Sequence, residues 1–144
     1  MSTKQVAEMF GFSTDTIRYY ERVGVIPPIK RDKNGYRIYT KGTLNWIFLA
    51  KTLRDAGLSI ESLIEFATLA QMDGDVQEAQ KKILHDQLQE IDEKLKEMNR
   101  VRELLQYKIN TYDEHVSRFK AGELTDDTVD ELWTMKHFKK EKNV

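Results

Sequence analysis

Apolar residues return every three or four positions along most of this chain, and that helical spacing lapses for long in three places: residues 24–40, residues 72–75 and the stretch after Gly122. Before the first lapse, Val6, Ala7 and Phe10 make one short stripe. Ser2 and Gln5 stand at capping-box spacing ahead of it, and Gly11 ends it. A second helix is predicted over Thr14–Val23. Ser13 is its N-cap, Asp15 sits in the first turn where the macrodipole favours an anion, and Gly24 supplies the stop. Two short helices joined through Gly11-Phe12 predict a helix-turn-helix.

The first lapse has its own pattern. Pro27-Pro28 forbids helix and holds the chain extended, and Asn34-Gly35 between Lys33 and Tyr36 is a strong hairpin signal because both residues tolerate the positive φ of a type I′ turn. Counting outward pairs Asp32 with Arg37 and Arg31 with Ile38, which predicts a two-strand wing. A polar helix followed by a basic hairpin suits duplex DNA. The second helix would enter the major groove with Thr14, Thr16, Arg18 and Tyr19 facing base edges, while Arg31, Lys33 and Arg37, with Asn34 and Gly35 at the tip, would stand near a phosphate track. Alone, an Arg- and Tyr-rich hairpin also reads as a solvated edge whose charges block aggregation.

The run TIRYYERVGVIPPIKRDKNGYRIY resembles the DNA-binding module of the MerR family of bacterial transcription regulators, whose hallmark is a helix ending in R-Y-Y-E, a G-x-x-P-P step and an N-G-Y-R-x-Y wing. The resemblance continues through TLNWIFLAKTLRDAGLSIESL and so covers the first half of the chain. It implies DNA contacts from Arg18, Tyr19, Tyr20, Arg31, Tyr36 and Arg37. Tyr20 has a second reading, packing inward with Ile17 against Val6 and Phe10. The resemblance also implies an antiparallel dimer that bends and untwists an over-long promoter spacer so that RNA polymerase engages both promoter elements. The stretch WIFLAKTLRDAGLSIE is most similar to the aldehyde- or electrophile-responsive branch, which carries a lone cysteine in this helix; Thr52 stands at the matching position here. A hydroxyl is not a thiolate nucleophile at neutral pH, so the branch's thiol chemistry does not carry over.

Two further helices follow the hairpin. Thr40 or Thr43 caps one that carries Leu44, Ile47, Phe48, Leu49 and Leu53 and stops at Gly57; Ser59 caps another with Ile60, Leu63, Ile64 and Ala67. They are expected to complete the core, with Trp46 either packed there or facing DNA. The Met-Asp-Gly-Asp break at 72–75 places a domain boundary after residue 71.

Beyond the break the spacing becomes a heptad seam. Asp75 and Glu78 form a capping pair, and no Gly or Pro intervenes before Gly122. Alternating steps of four and three meet Leu84, Leu88, Ile91, Leu95, Met98, Arg102, Leu105, Ile109, Tyr112 and Val116, apolar or aromatic at every position but Arg102. Such a helix, on the order of 60 Å long, cannot bury its own stripe, which predicts a homodimer across residues 72–121. Arg102 would act as a register device or snorkel at the rim. In the tail, residues 122–144, Thr125 caps a predicted helix from Asp126 to about Phe138. Its Leu132, Trp133, Met135 and Phe138 would either line a small-molecule pocket or cover the end of the coil.

Composition changes the picture in one respect. The net charge of -1 over 144 residues hides a gradient: residues 1–58 hold ten Lys/Arg against five Asp/Glu, and the rest thirteen against nineteen. A basic end is the electrostatic footprint of phosphate contact. There is no cysteine, no apolar run near membrane length and no leader-like segment, which predicts a cytoplasmic protein without disulfides or membrane association. His85, His115 and His137 are too scattered to predict a metal site, and no nucleophile–base pair or phosphate-binding Gly loop points to an enzyme or a cofactor. The sequence therefore predicts a mainly α protein: a winged helix-turn-helix reader, a long coiled-coil dimerisation helix and a short C-terminal helix. The function that follows is regulation of transcription at a pseudo-palindromic operator. The competing reading is an architectural, excisionase-like DNA bender with no effector.

Overall fold

The structure is a computed structural model that describes residues 1–136 and Phe138. It gathers into two compact units, Met1–Gln87 and Leu88–Val144. Among the described residues five helices run in chain order: α1 (Thr3–Phe10), α2 (Thr14–Val23), α3 (Lys41–Asp55), α4 (Ile60–Ala70) and α5 (Gln77–Lys120). A 3-10 turn follows at Leu132–Thr134.

The helix boundaries have local chemical causes. Ser2 and Gln5 form a reciprocal capping box, the Ser2 hydroxyl accepting from the Gln5 amide and the Gln5 side chain accepting from the Ser2 amide. Ser13, Thr40 and Ser59 cap α2, α3 and α4 by accepting from Thr16 N–H, Thr43 N–H and Ser62 N–H. Gly24 ends α2 at φ 84°, a left-handed conformation that only glycine adopts cheaply. α5 starts after Val76, one residue later than an Asp75 cap predicts: the Val76 carbonyl accepts the Gln80 amide.

The core of the first unit joins α1, α2, α3, α4 and the Val25–Ile29 segment through Val6, Ala7, Ile17, Tyr20, Val25, Ile26, Ile29, Ile47, Ala50 and Leu63. Trp46 packs on it with its ring 5.4 Å from that of Phe66, which settles its two readings in favour of packing. Phe48 departs from the expected stripe. It is 58 % exposed, because one residue beyond the buried Ile47 turns the side chain about 100° away from the core, and its ring lies 6.5 Å from Phe10.

In the second unit the predicted seam lies open. Leu88, Leu95, Met98, Leu105, Ile109 and Tyr112 are exposed and Ile91 and Val116 half-buried; Leu84, on the same stripe but within the first unit, is exposed as well. Arg102 is also exposed. The tail covers a different face. The chain turns at Gly122, Glu123 and Leu124 donate to the Arg118 carbonyl, Leu124 is buried, and the Tyr107 hydroxyl donates to Asp130 at 3.0 Å. Phe138 sets its ring edge-on to Tyr107 at 5.6 Å.

The predicted helix from Asp126 to Phe138 does not form. Thr125 and Thr128 close a turn on each other, with Thr125 N–H donating to the Thr128 hydroxyl at 2.8 Å, and among the described residues the stretch reaches helix only in the 3-10 turn Leu132–Thr134. Side-chain-to-backbone bonds of this kind compete with the helix, and the Tyr107–Asp130 bond pulls the chain onto α5 just beyond that turn. Trp133 is exposed while Leu132, Met135 and Phe138 are half-buried. His137, Lys139, Lys140 and Lys142 lie outside the described residues.

Candidate nucleic-acid interface

The helix-turn-helix is set by three residues between α1 and α2. Phe12 N–H donates to the Ala7 carbonyl, and the Phe12 ring stacks on Phe10 at 6.0 Å and meets Tyr20 at 6.0 Å. Ile17 and Tyr20 turn inward with Val23 packed beside them, and Asp15, Arg18, Tyr19 and Arg22 face out. Thr14 and Thr16 are half-buried near its N-terminus, and Arg18 and Tyr19 are exposed in its middle. Arg18 Nη1 donates to Asp15 Oδ1 at 3.0 Å and reaches Thr14 Oγ1 at 3.4 Å. An exposed pair of this kind is worth about 0–1 kcal/mol, so Asp15 holds the Arg18 guanidinium only weakly. The Arg22 guanidinium lies over the Tyr19 ring at 5.5 Å and adds a cation to the same face.

Tyr20 takes its packing role. It is 7 % exposed, and burial, with the Asp55 carboxylate as a lesser cause, holds its hydroxyl above the ordinary tyrosine range.

The wing is a hairpin, but in a different register from the predicted one and without strands. Arg31 bridges to Arg37, Asp32 N–H donates to the Tyr36 carbonyl and Ile38 N–H to the Lys30 carbonyl. The loop therefore holds three residues, Lys33, Asn34 and Gly35, and the pairs are Asp32–Tyr36 and Arg31–Arg37 instead of Asp32–Arg37 and Arg31–Ile38. Gly35 alone has positive φ, 85°, whereas Asn34 does not. The cause is Asp32: its Oδ1 accepts from Asn34 N–H at 2.8 Å and Tyr36 N–H at 3.0 Å, an Asx turn that replaces the type I′ geometry. The ladder holds one bridge, and on its first leg the Ile29 N–H donates to Glu21 Oε2 at 2.7 Å instead of to the opposite leg, while beyond the second leg the Tyr39 hydroxyl pairs with Thr3 Oγ1 at 2.8 Å.

At the tip, Lys33, Asn34 and Gly35 are exposed and Tyr36 is 72 % exposed. Arg31 is exposed, with Nη1 donating to the Gly35 carbonyl at 2.8 Å. Arg37 differs from the other wing cations. Its Nε and Nη2 both lie 3.0 Å from Glu21 Oε1, and the two side chains are only 16 % and 17 % exposed. Sequence reasoning did not single out Glu21, the partner of Arg37; its only signal was its place at the end of R-Y-Y-E.

The outward face of α2, beside a basic hairpin anchored to that helix, is a surface built for the grooves and backbone of a duplex. Comparison with known proteins agrees. Residues 1–68 match the model of the MerR HTH family regulatory proteins. The chain is 48 % identical over 91 residues to the HTH-type transcriptional regulator AdhR of Bacillus subtilis, a match spanning 63 % of this chain and 65 % of AdhR. It is 32 % identical over 123 residues to the regulator YyaN of the same organism, covering 89 % of YyaN. Among solved structures it resembles a putative MerR family regulator from Listeria monocytogenes, with TM-score 0.75 and 37 % identity over 85 % of this chain and 92 % of that one. It also resembles HiNmlR, a MerR family regulator lacking the sensor domain and bound to promoter DNA, with TM-score 0.69 and 28 % identity over 81 % and 92 % of the two chains. The chain belongs to the MerR family of helix-turn-helix transcriptional regulators.

Proposed function

We propose that this regulator binds a pseudo-palindromic promoter operator as a homodimer and controls transcription by distorting the spacer DNA. Residues 1–71 are the reader, residues 72–121 the dimerisation helix and residues 122–144 a tail. Thr14, Thr16, Arg18 and Tyr19 meet base edges in the major groove, and Arg31, Lys33, Asn34, Gly35 and Tyr36 follow the phosphate backbone. The observation that carries the reading is the long α5 with its apolar stripe exposed at Leu84, Leu88, Leu95, Met98, Leu105, Ile109 and Tyr112 on the same chain as the reader. A twofold pair of readers at fixed separation binds two half-sites, and a monomeric bender has no use for such a stripe. HiNmlR, which is bound to promoter DNA, supports the choice of ligand.

In this reading the protein acts in the cytoplasm, where RNA polymerase meets the distorted promoter, and no helix among the described residues is long and apolar enough to cross a membrane. It is not an enzyme, and its similar proteins are regulators. Footprinting on genomic fragments, combined with sedimentation, tests the proposal. Protection of two symmetric half-sites between promoter elements by a dimer is expected. Protection by a monomer, or scattered outside promoters, overturns it in favour of the architectural bender.

A further inference from the structure

Glu21 spends both carboxylate oxygens inside the protein. Oε1 takes the Arg37 fork, with Nε and Nη2 each at 3.0 Å, and Oε2 takes the Ile29 amide at 2.7 Å. Ile29 leads into the first leg of the hairpin, directly after Pro27-Pro28, and Arg37 stands on the second leg opposite Arg31. One carboxylate on the last turns of α2 therefore holds both legs of the wing. The arrangement contrasts with the Arg18–Asp15 pair on the same helix, whose side chains are largely open to water. A covered fork-to-carboxylate pair resists exchange with water and fixes an angle as well as a distance. With a single bridge in its ladder, the hairpin has little sheet structure of its own to define that angle.

We infer that Glu21 is a positioning residue for DNA binding: it sets the wing against the recognition helix, and Arg37 serves the operator through this clamp instead of through a phosphate contact of its own. Arg31, Lys33 and Tyr36 are then the side chains that the clamp delivers to the backbone of the duplex. The inference rests on the DNA-binding reading above and assigns Arg37 a role different from the phosphate contact that the sequence suggested.

The test is a double-mutant cycle on the full-length protein, with Glu21→Ala, Arg37→Ala and the pair, titrated onto an operator duplex at several salt concentrations. Each single change is expected to weaken binding roughly five- to ten-fold at moderate salt and to lower the salt slope by about one ion. The pair should be no worse than either single change, because both remove the same clamp. Arg37→Lys should behave like Arg37→Ala, since a lysine keeps the charge and loses the fork, whereas a phosphate contact would tolerate it. Losses that multiply in the pair, or wild-type affinity for Arg37→Lys, overturn the inference. Amide exchange at Ile29 reads the clamp without DNA, and Glu21→Gln guards against a failure of Glu21→Ala to fold. Faster exchange at Ile29 with unchanged operator binding shows a clamp with no role in reading DNA and also overturns the inference. Failure of the underlying reading looks different: the wild type itself would then prefer no operator.

Discussion

In the first unit Val6, Ile17, Ile26 and Ile47 are fully enclosed by side chains of the same chain, whereas in the second Leu95, Met98, Leu105 and Ile109 are left exposed by their own chain, and Leu124 is the one buried apolar side chain among its described residues. Both regions are helical and both carry apolar residues at helical spacing. The difference lies in what each stripe can reach. α1 to α4 are short, and the turns and the hairpin that join them bring their stripes into one core. The α5 stripe runs along a 44-residue helix, and the tail packs beside Tyr107 and leaves the seam uncovered. Burying a large aliphatic side chain stabilises by about 1.5–3 kcal/mol, so the open stripe is where a second copy has most to gain.

Charges placed in that seam should break the comparison most strongly. Leu95→Lys with Leu105→Lys is expected to give a monomer by sedimentation and to weaken operator binding by about 10²–10⁴-fold, the avidity of two linked readers, while the helical signal of the reader survives. A wild type that sediments as a monomer at micromolar concentration removes the dimer. A change of the opposite character belongs in the first unit: Ile47→Ala should lower the stability of the reader by about 2–5 kcal/mol through the cavity it leaves, seen as a lower urea midpoint, without dissociating the dimer.

A smaller effect separates reading from assembly. Arg18→Ala should cost about 1–3 kcal/mol on the operator and little on random duplex, because a bidentate base contact discriminates and a phosphate contact does not. Equal losses on both duplexes make Arg18 a backbone contact.

The same comparison shows how far the sequence could be read. The bounds of α2, the caps of α1, α2 and α4 and the long α5 were legible because each rests on chemistry within four residues: a hydroxyl before the first turn, a glycine after the last, a repeat of apolar positions; the cap of α3 was narrowed to Thr40 or Thr43, and it is Thr40. The hairpin was legible as a hairpin but not in register. Asn34-Gly35 favours a two-residue turn, and the bonds from Asp32 Oδ1 to Asn34 and Tyr36 outweigh it. Phe48 fitted the stripe by count but not by angle, one position being enough to carry it from core to surface. The Glu21 clamp was not legible, since nothing local says that a carboxylate will meet an arginine sixteen positions away. The tail failed for a related reason: Thr125 is a good helix cap, but it closes a turn with Thr128 instead, and a bond from Tyr107, 23 positions back, holds Asp130 just beyond that turn.

That bond offers a test of whether the tail is a working part of the second unit. The Asp130 carboxylate accepting from the Tyr107 hydroxyl, with some desolvation, holds the tyrosine above its ordinary range. A raised pKa in the folded state means that the stabilisation is complete below the unfolded value of about 10 and is lost as pH rises through the folded value. Between neutral pH and pH 9 the tail should therefore stay docked, and above about pH 10 it should loosen, seen as protease sensitivity after Gly122. Tyr107→Phe should loosen it at neutral pH and leave the dimer and operator binding unchanged. A tail that is equally protected in both proteins shows that Leu124 and Phe138 hold it without the hydrogen bond.

The smallest expected effect is none, and it falls on the helix where the resemblance to the electrophile-responsive branch is densest. Thr52 is exposed on α3, where that branch carries its thiol, and the chain has no cysteine anywhere. A threonine hydroxyl forms no stable adduct with an aldehyde at neutral pH and does not oxidise with diamide, so nothing at this position couples such reagents to the reader. Formaldehyde, methylglyoxal and diamide should leave operator affinity and promoter output unchanged in a purified transcription assay, and Thr52→Ala should be silent beside them. A gain of transcription on adding an aldehyde that persists in Thr52→Ala moves sensing to lysine chemistry or reversible binding elsewhere, with the second unit the first place to look. A gain lost with Thr52 shows that the α3 position can signal without a thiolate, and makes the first unit both reader and sensor.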